Sequence, residues 1–159
     1  MKSRRLFLTV SLTAVALLAA VAAENNKSAY DAAREKLAAR DYAGVRAECD
    51  RGLAAADLEP NTRFNLLNLK AASYEREHEW AAARDEYRKI MEDPDVDKGW
   101  KLRAAFAAVR NLEREKKYTV ARELLDSLFE VTGISGSDRV KIHEALARVR
   151  VAGGIERRP

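Results

Sequence analysis

Nucleophilic, acid–base and metal chemistry need cysteine, histidine or converging carboxylates. This chain of 159 residues is thinly supplied with the first two: one cysteine, Cys49, and two histidines, His78 and His143. His143-Glu144 opens the H-E-x-x-H pattern of a zinc-binding helix, but the residue that would supply the second imidazole is Ala147. Cys49 has no cysteine or histidine at metal-ligand spacing, and no glycine-rich phosphate loop is present. The 25 Asp and Glu residues alternate with Lys and Arg along polar–apolar stretches, the pattern of solvated helix faces carrying ion pairs. The sequence therefore predicts no catalytic residue, no metal ligand and no cofactor: a protein that is not an enzyme. The competing possibility is a site assembled from several elements, which requires ionisable groups gathered in a pocket.

What remains is recognition by a surface, and the elements that build the surface repeat. Asp41-Tyr42, Glu79-Trp80 and Lys117-Tyr118 recur at a period of 38, each followed by an arginine, Arg46, Arg84 and Arg122. The breakers Pro60, Lys98-Gly99 and Gly136 share the frame, as do the polar turns Glu75-Arg76-Glu77 and Glu113-Arg114-Glu115. Between them apolar residues recur at helical spacing: Phe64, Leu67, Ala71 and Tyr74, then Trp80, Ala83, Tyr87 and Ile90. The same places one period later hold Leu102, Ala105, Val109 and Leu112, then Tyr118, Ala121, Leu125 and Leu128. Each period thus predicts two helices joined by a short turn. One such hairpin cannot bury both faces of its helices, so neighbours must stack. A last helix near 137–152 places Val140, His143, Ala147 and Arg150 at the positions of Leu102, Ala105, Val109 and Leu112, with Ile142, Leu146 and Val149 left to face the preceding unit. Two of those apolar positions have turned polar, as in a terminal cap. Cys49 lies on an apolar stripe and reads as a buried structural thiol. Trp80 and Tyr118, recurring at the period, read as core; Trp100 has no counterpart and reads as packing against the neighbouring loop.

These residues resemble the tetratricopeptide repeat: an aromatic opening the second helix (Tyr42, Trp80, Tyr118), and small residues at the helix crossings (Ala33, Ala71 and Ala147; Ala83 and Ala121). Val45 and Val109 depart from the pattern. So does the period, since the family repeat is about 34 residues, and the extra length is most simply placed in the loop after the second helix. The first unit is degenerate, with Lys36 at the place of Tyr74 and Gly52 at that of Ile90. The resemblance implies an all-α, right-handed α–α superhelix of stacked antiparallel hairpins, as would an unrelated hairpin array of similar period. Units are expected at about 26–60, 61–98 and 99–136, with a capping helix at 137–152 and a loose tail at 153–159.

In that family the first helix of each unit lines a concave face that holds a peptide or a partner helix. Transferred to this frame, the face comprises Tyr30 and Arg34, Asn65 and Asn68, Arg103, Phe106 and Arg110, and Lys141 and Arg148. Arginine and asparagine there suit a peptide backbone and its acidic groups; ordinary solvated positions on a charged helix are the competing reading. The set lacks the carboxylate-clamp pattern of chaperone-binding members, so a C-terminal-tail ligand is not implied.

The segment 1–23 reads separately. Lys2, Arg4 and Arg5 precede an uncharged run, Leu6 to Ala23, ending in small residues before Glu24. That is the order of a cleaved secretory signal, and the alanine-rich second half favours it. An uncleaved anchor is the alternative, because the uncharged run just reaches the lower length limit of a membrane-spanning helix. Ser3-Arg4-Arg5-Leu6-Phe7-Leu8 also resembles the twin-arginine signal, with Thr9 where that family has lysine. These basic residues supply three of the net +4 charges, leaving the rest nearly neutral, which argues against a nucleic-acid partner. The expected protein is an exported, periplasmic or envelope scaffold of one domain, 24–152, binding a protein or peptide. A self-associating or membrane-tethered spacer is the alternative.

Overall fold

A computed structural model describes residues 29–56, 58–130 and 133–154. The expected signal or anchor and residues 155–159 lie outside the described residues. The fold is all-α: among the described residues there are seven α-helices, one 3₁₀ turn and no strand. The helices are α1 (29–38), α2 (Tyr42–Leu53), α3 (Pro60–Arg76), α4 (Trp80–Glu92), α5 (Lys98–Arg114), α6 (Tyr118–Ser127, running into the 3₁₀ turn Leu128–Glu130) and α7 (Gly136–Ala152). No described helix is long and apolar enough to cross a membrane. The starts of α3, α5 and α7 (Pro60, Lys98, Gly136) keep the period of 38, as do those of α2, α4 and α6 (Tyr42, Trp80, Tyr118). Only Asp93–Asp97 separate α4 from α5. The first helix of each pair is the long one, α3, α5 and α7 having 17 residues each.

The hairpin turns carry the period most sharply. Arg40, His78 and Lys116 all adopt left-handed backbone, with φ of 61°, 62° and 60°. Each donates its N–H to the carbonyl three positions back, on Leu37, Glu75 and Glu113, at 2.9–3.2 Å. The following residue donates five positions back, Asp41 to Lys36, Glu79 to Tyr74 and Lys117 to Leu112, at 2.8–2.9 Å. This pair of bonds is the Schellman cap, which satisfies the last carbonyls of one helix while reversing the chain. Gly154 repeats the left-handed turn one period later, with φ of 61° and its N–H on the Val151 carbonyl. At the other helix ends, Pro60 opens α3, a position that needs no N–H donor. The Asp97 carboxylate accepts from the Gly99 N–H at 2.7 Å, and the Ser135 hydroxyl accepts from the Asp138 N–H at 3.1 Å.

Two compact units divide within α3, between Leu69 and Lys70. In the first, Ala33, Val45, Cys49, Leu58, Leu66 and Leu69 form one buried cluster, drawn from α1, α2, α3 and the residue pair before α3. Cys49 is fully buried and forms no disulfide. Gly52, which stands where the second unit has Ile90, is explained by a close approach. A Cβ there would lie 2.8 Å from Leu66 Cδ1 and 3.0 Å from Ala29 Cβ.

In the second unit α5 is the central element, in contact with α4 and α6, and it buries two faces. Ala105, Val109 and Leu112 join Ala121, Leu125 and Leu128 and the α7 residues Ile142, Ala145, Leu146 and Val149 in a single cluster. Ala104, Ala107, Ala108 and Asn111 are buried on the other flank. The α7 residues of the cluster are the period counterparts of that other flank, whereas the counterparts of Ala105, Val109 and Leu112 (His143, Ala147 and Arg150) are exposed. Ala147, expected at a helix crossing, therefore faces solvent, and Ala145 occupies the buried position. Lys70 and Glu86 form a buried ion pair at 3.3 Å, with Lys89 reaching the same carboxylate at 2.8 Å. Asn111 is 0% exposed, and neither polar atom of its amide has a hydrogen-bond partner among the described residues. The same place in the neighbouring repeats holds Ser73, whose hydroxyl donates to the Lys70 carbonyl, and Val149.

An unpaired buried amide costs about 1–3 kcal/mol. Asn111→Leu should therefore raise the stability of the second unit by about 1 kcal/mol in urea denaturation; a loss of that size would show that the amide is satisfied. Gly-to-Ala in an unobstructed helix stabilises by about 1 kcal/mol. Gly52→Ala should instead destabilise by about 1–3 kcal/mol, the usual cost of overpacking, and Gly52→Val by more.

Candidate functional site

The nine residues expected to form a partner face lie on four helices, and each unit presents its own part. In the first unit Tyr30 is half-buried and Arg34 exposed on α1, with the Arg34 guanidinium carbon 5.9 Å from the Tyr30 ring centre. On α3, Asn65 is half-buried and Asn68 exposed. Amides at these positions offer donors and acceptors to an extended backbone without carrying charge.

In the second unit α5 carries Arg103, Phe106 and Arg110, at successive steps of three and four and hence on one stripe. Arg110 is exposed, as is Arg103. The Arg103 guanidinium carbon sits 4.5 Å above the Trp100 ring, a cation–π contact that holds the side chain against the helix start. Trp100, read from sequence as loop packing, is thereby part of this stripe. Phe106 is half-buried and packs against the cluster of α5, α6 and α7. Arg110 lies near the buried Tyr87, whose phenol is pushed up first by burial and then by the charge and hydrogen bond of Glu75, with Arg110 and Arg114 opposing. Tyr87 is therefore a neutral donor to a carboxylate at all physiological pH.

The α7 cations are differently placed. Lys141 pairs with Asp138 at 2.9 Å. Arg148 donates to both Glu113 oxygens, Nε at 2.8 Å and Nη2 at 3.4 Å. Neutralised within the chain, these two are less available to a partner than Arg103 and Arg110, for which no ion pair is found among the described residues. Glu113 and Arg148 stand at the same sequence offset as Glu75 and Arg110. Glu75 and Glu113 thus line the same stripes as the arginines, a feature legible as the period of 38 less one helical step of three, and absent from the expected face.

Among the recurring aromatics and arginines, Trp80, Tyr118 and Arg84 have structural partners. Trp80 is half-buried between the His78 ring, edge-on at 5.1 Å, and the Arg114 guanidinium at 4.7 Å. Tyr118 packs on the core cluster. Arg84 pairs with Glu115 across α4 and the end of α5. Partial burial pushes the Glu115 carboxyl up, but hydrogen bonds from Lys117 and Arg84 outweigh it and hold the group below its ordinary range. His143 stacks at a tilt on Phe129, ring centres 4.8 Å apart. Among the described residues no three His, Cys, Asp or Glu side chains converge as a metal site would need. An apolar cavity of about 140 Å³ lies near the start of α5, lined by Met91, Leu102, Leu128 and Ile134 with Lys98, Lys101 and Asp138.

Comparison with known proteins found no matching family model, no matching curated relative and no matching solved structure.

The start of α7 gives a pH test. Hydrogen bonds from Ser135 and then Lys141 hold Asp138 below the ordinary carboxylate value. A lowered acid stabilises the fold fully above its unfolded value, about 3.9, and loses that contribution as pH falls through the folded value. Thermal midpoints should thus be flat from about pH 7 to 5 and fall below about pH 4. Asp138→Asn should lower the midpoint at neutral pH, with the gap to wild type closing in acid. A gap that persists unchanged at low pH would mean that the carboxylate's charge is not what stabilises the helix start.

Proposed function

We propose that this chain is a tetratricopeptide-like scaffold that holds a protein or peptide partner along the first helices of its units and performs no chemistry of its own. The observation that carries this is the α5 stripe: two exposed arginines flanking an aromatic ring, with Arg103 supported from below by Trp100. A guanidinium pre-positioned by stacking loses less conformational entropy on capturing a carboxylate. The acidic side chains of an extended peptide are the groups this stripe suits, and Tyr30, Arg34, Asn65 and Asn68 would offer the matching contacts in the first unit. The period of 38 and the three Schellman turns support the repeat reading. The basic start and uncharged run at 1–23 support export to the periplasm or envelope.

The test is capture from an envelope fraction by the tagged full chain, compared between wild type and variants. Arg103→Ala/Arg110→Ala should reduce capture of the wild-type partner at least about tenfold, the loss expected for two charge-assisted contacts, with helicity by circular dichroism unchanged. Adding Phe106→Ala should reduce it further at some cost in stability. Unchanged capture by the double variant would remove α5 as the binding face.

A further inference from the structure

We infer that the apolar cavity at the start of α5 is a binding site for a small aromatic carboxylate, with the ring inside and the carboxylate held by Lys101. This does not rest on the proposed partner stripe, since Arg103, Phe106 and Arg110 do not line the cavity.

The repeat frame accounts for the cavity. Its apolar wall is Met91, Leu102, Leu128 and Ile134. One period earlier the same positions hold Leu53, Phe64, Ile90 and Val96. Three of these exchange one aliphatic or thioether side chain for another, and the fourth loses a ring. Phe64 is buried, at 4% exposed, whereas Leu102 is half-buried. Where one repeat supplies its own phenyl ring, the next has a smaller side chain beside a cavity of about 140 Å³. An apolar cavity of about 150 Å³ takes benzene, so the volume suits one six-membered ring and little more.

Charge selects a carboxylate on that ring. Lys98 and Lys101 both line the cavity, and they stand in the first turn of α5, which has no acidic residue. Cations there oppose the helix dipole, whose positive end favours an anion. Lys101 is half-buried and has no ion pair among the described residues. The Lys98 ammonium lies beside Gly133, where a Cβ would be 2.7 Å from it. Asp138, the only carboxylate among the described lining residues, already accepts from the Ser135 hydroxyl at 2.7 Å and pairs with Lys141 at 2.9 Å. A ring bearing a carboxylate thus meets an apolar wall and positive charge together, and the ring itself keeps water from one side of the ion pair, which strengthens it. The site is small, so binding is weak, with a dissociation constant on the order of 10⁻³ M.

Methyl-resolved NMR of the full chain, titrated with benzoate to about 20 mM to bracket that constant, tests this. Benzoate should shift the Met91, Leu128 and Ile134 methyl signals to saturation. Benzyl alcohol, which keeps the ring without the charge, should bind about two- to fivefold more weakly. Acetate should leave these signals in place. N-Acetylphenylalanine, which separates a free acid from the C-terminus of a peptide, should bind more weakly than benzoate. Lys101→Met should bring benzoate down to the affinity of benzyl alcohol. Leu102→Phe, which restores the ring of the preceding repeat, should weaken benzoate at least about tenfold; if that variant fails to fold, Lys101→Met and the four ligands decide alone. Absent methyl shifts, equal shifts with acetate, benzyl alcohol as tight as benzoate, or tighter binding of N-acetylphenylalanine overturns the proposal. So does a folded Leu102→Phe or Lys101→Met chain that binds benzoate as wild type does.

Discussion

Three backbone residues in the left-handed region reverse this chain. Arg40, His78 and Lys116 each close one helix and aim the next back along it, and none is glycine. A residue with a Cβ held at positive φ costs about 1–2 kcal/mol, so the conformation is imposed by what surrounds it: two hydrogen bonds per turn, and the aromatic two positions later that opens the following helix. Because the turn is so short, it fixes the register of the two helices against each other.

The faces of α5 and α7 differ although their positions correspond, because residues of α6 and α7 cover the second flank of α5. Both helices bury the flank directed at the preceding elements, as Ala104, Ala107, Ala108 and Asn111 or Ile142, Ala145, Leu146 and Val149. Only α5 buries the second flank as well. The side chains track this: α5 uses alanine on both sides, which lets neighbours come close, while α7 places bulkier Ile, Leu and Val on its one buried side. Asn111 differs from the valine at the corresponding place in α7, Val149, by leaving its buried amide without a hydrogen-bond partner among the described residues.

Charge on the first helices is distributed by the same geometry. One shared sequence offset sets Glu113 against Arg148, and Glu75 in the surroundings of Arg110 and Tyr87. Part of the positive stripe expected from composition is therefore compensated internally. Arg103 and Arg110 form no ion pair among the described residues, and such charge, not the total number of arginines, defines where an acidic partner would be attracted.

The all-helical class, the helix pairs, the period and most of the buried positions were legible in the sequence, because helix burial is a local pattern of steps of three and four that recurs at 38. Gly52 shows where this stops: it reads as decay of the repeat, and only the distances to Leu66 and Ala29 reveal that a Cβ there would crowd both. Ala147 shows it again. Its spacing matched a crossing, but burial depends on whether a neighbour arrives on that side, which no local pattern encodes. The nine residues of the candidate face were proposed by position; the pairing of Arg148 with Glu113, 35 positions away, is a contact that position alone does not reveal. The sequence by itself determined the elements and their phase; the tertiary structure decided which flanks are covered and that Arg148 is paired to Glu113, since both depend on contacts between residues nearly a whole repeat apart.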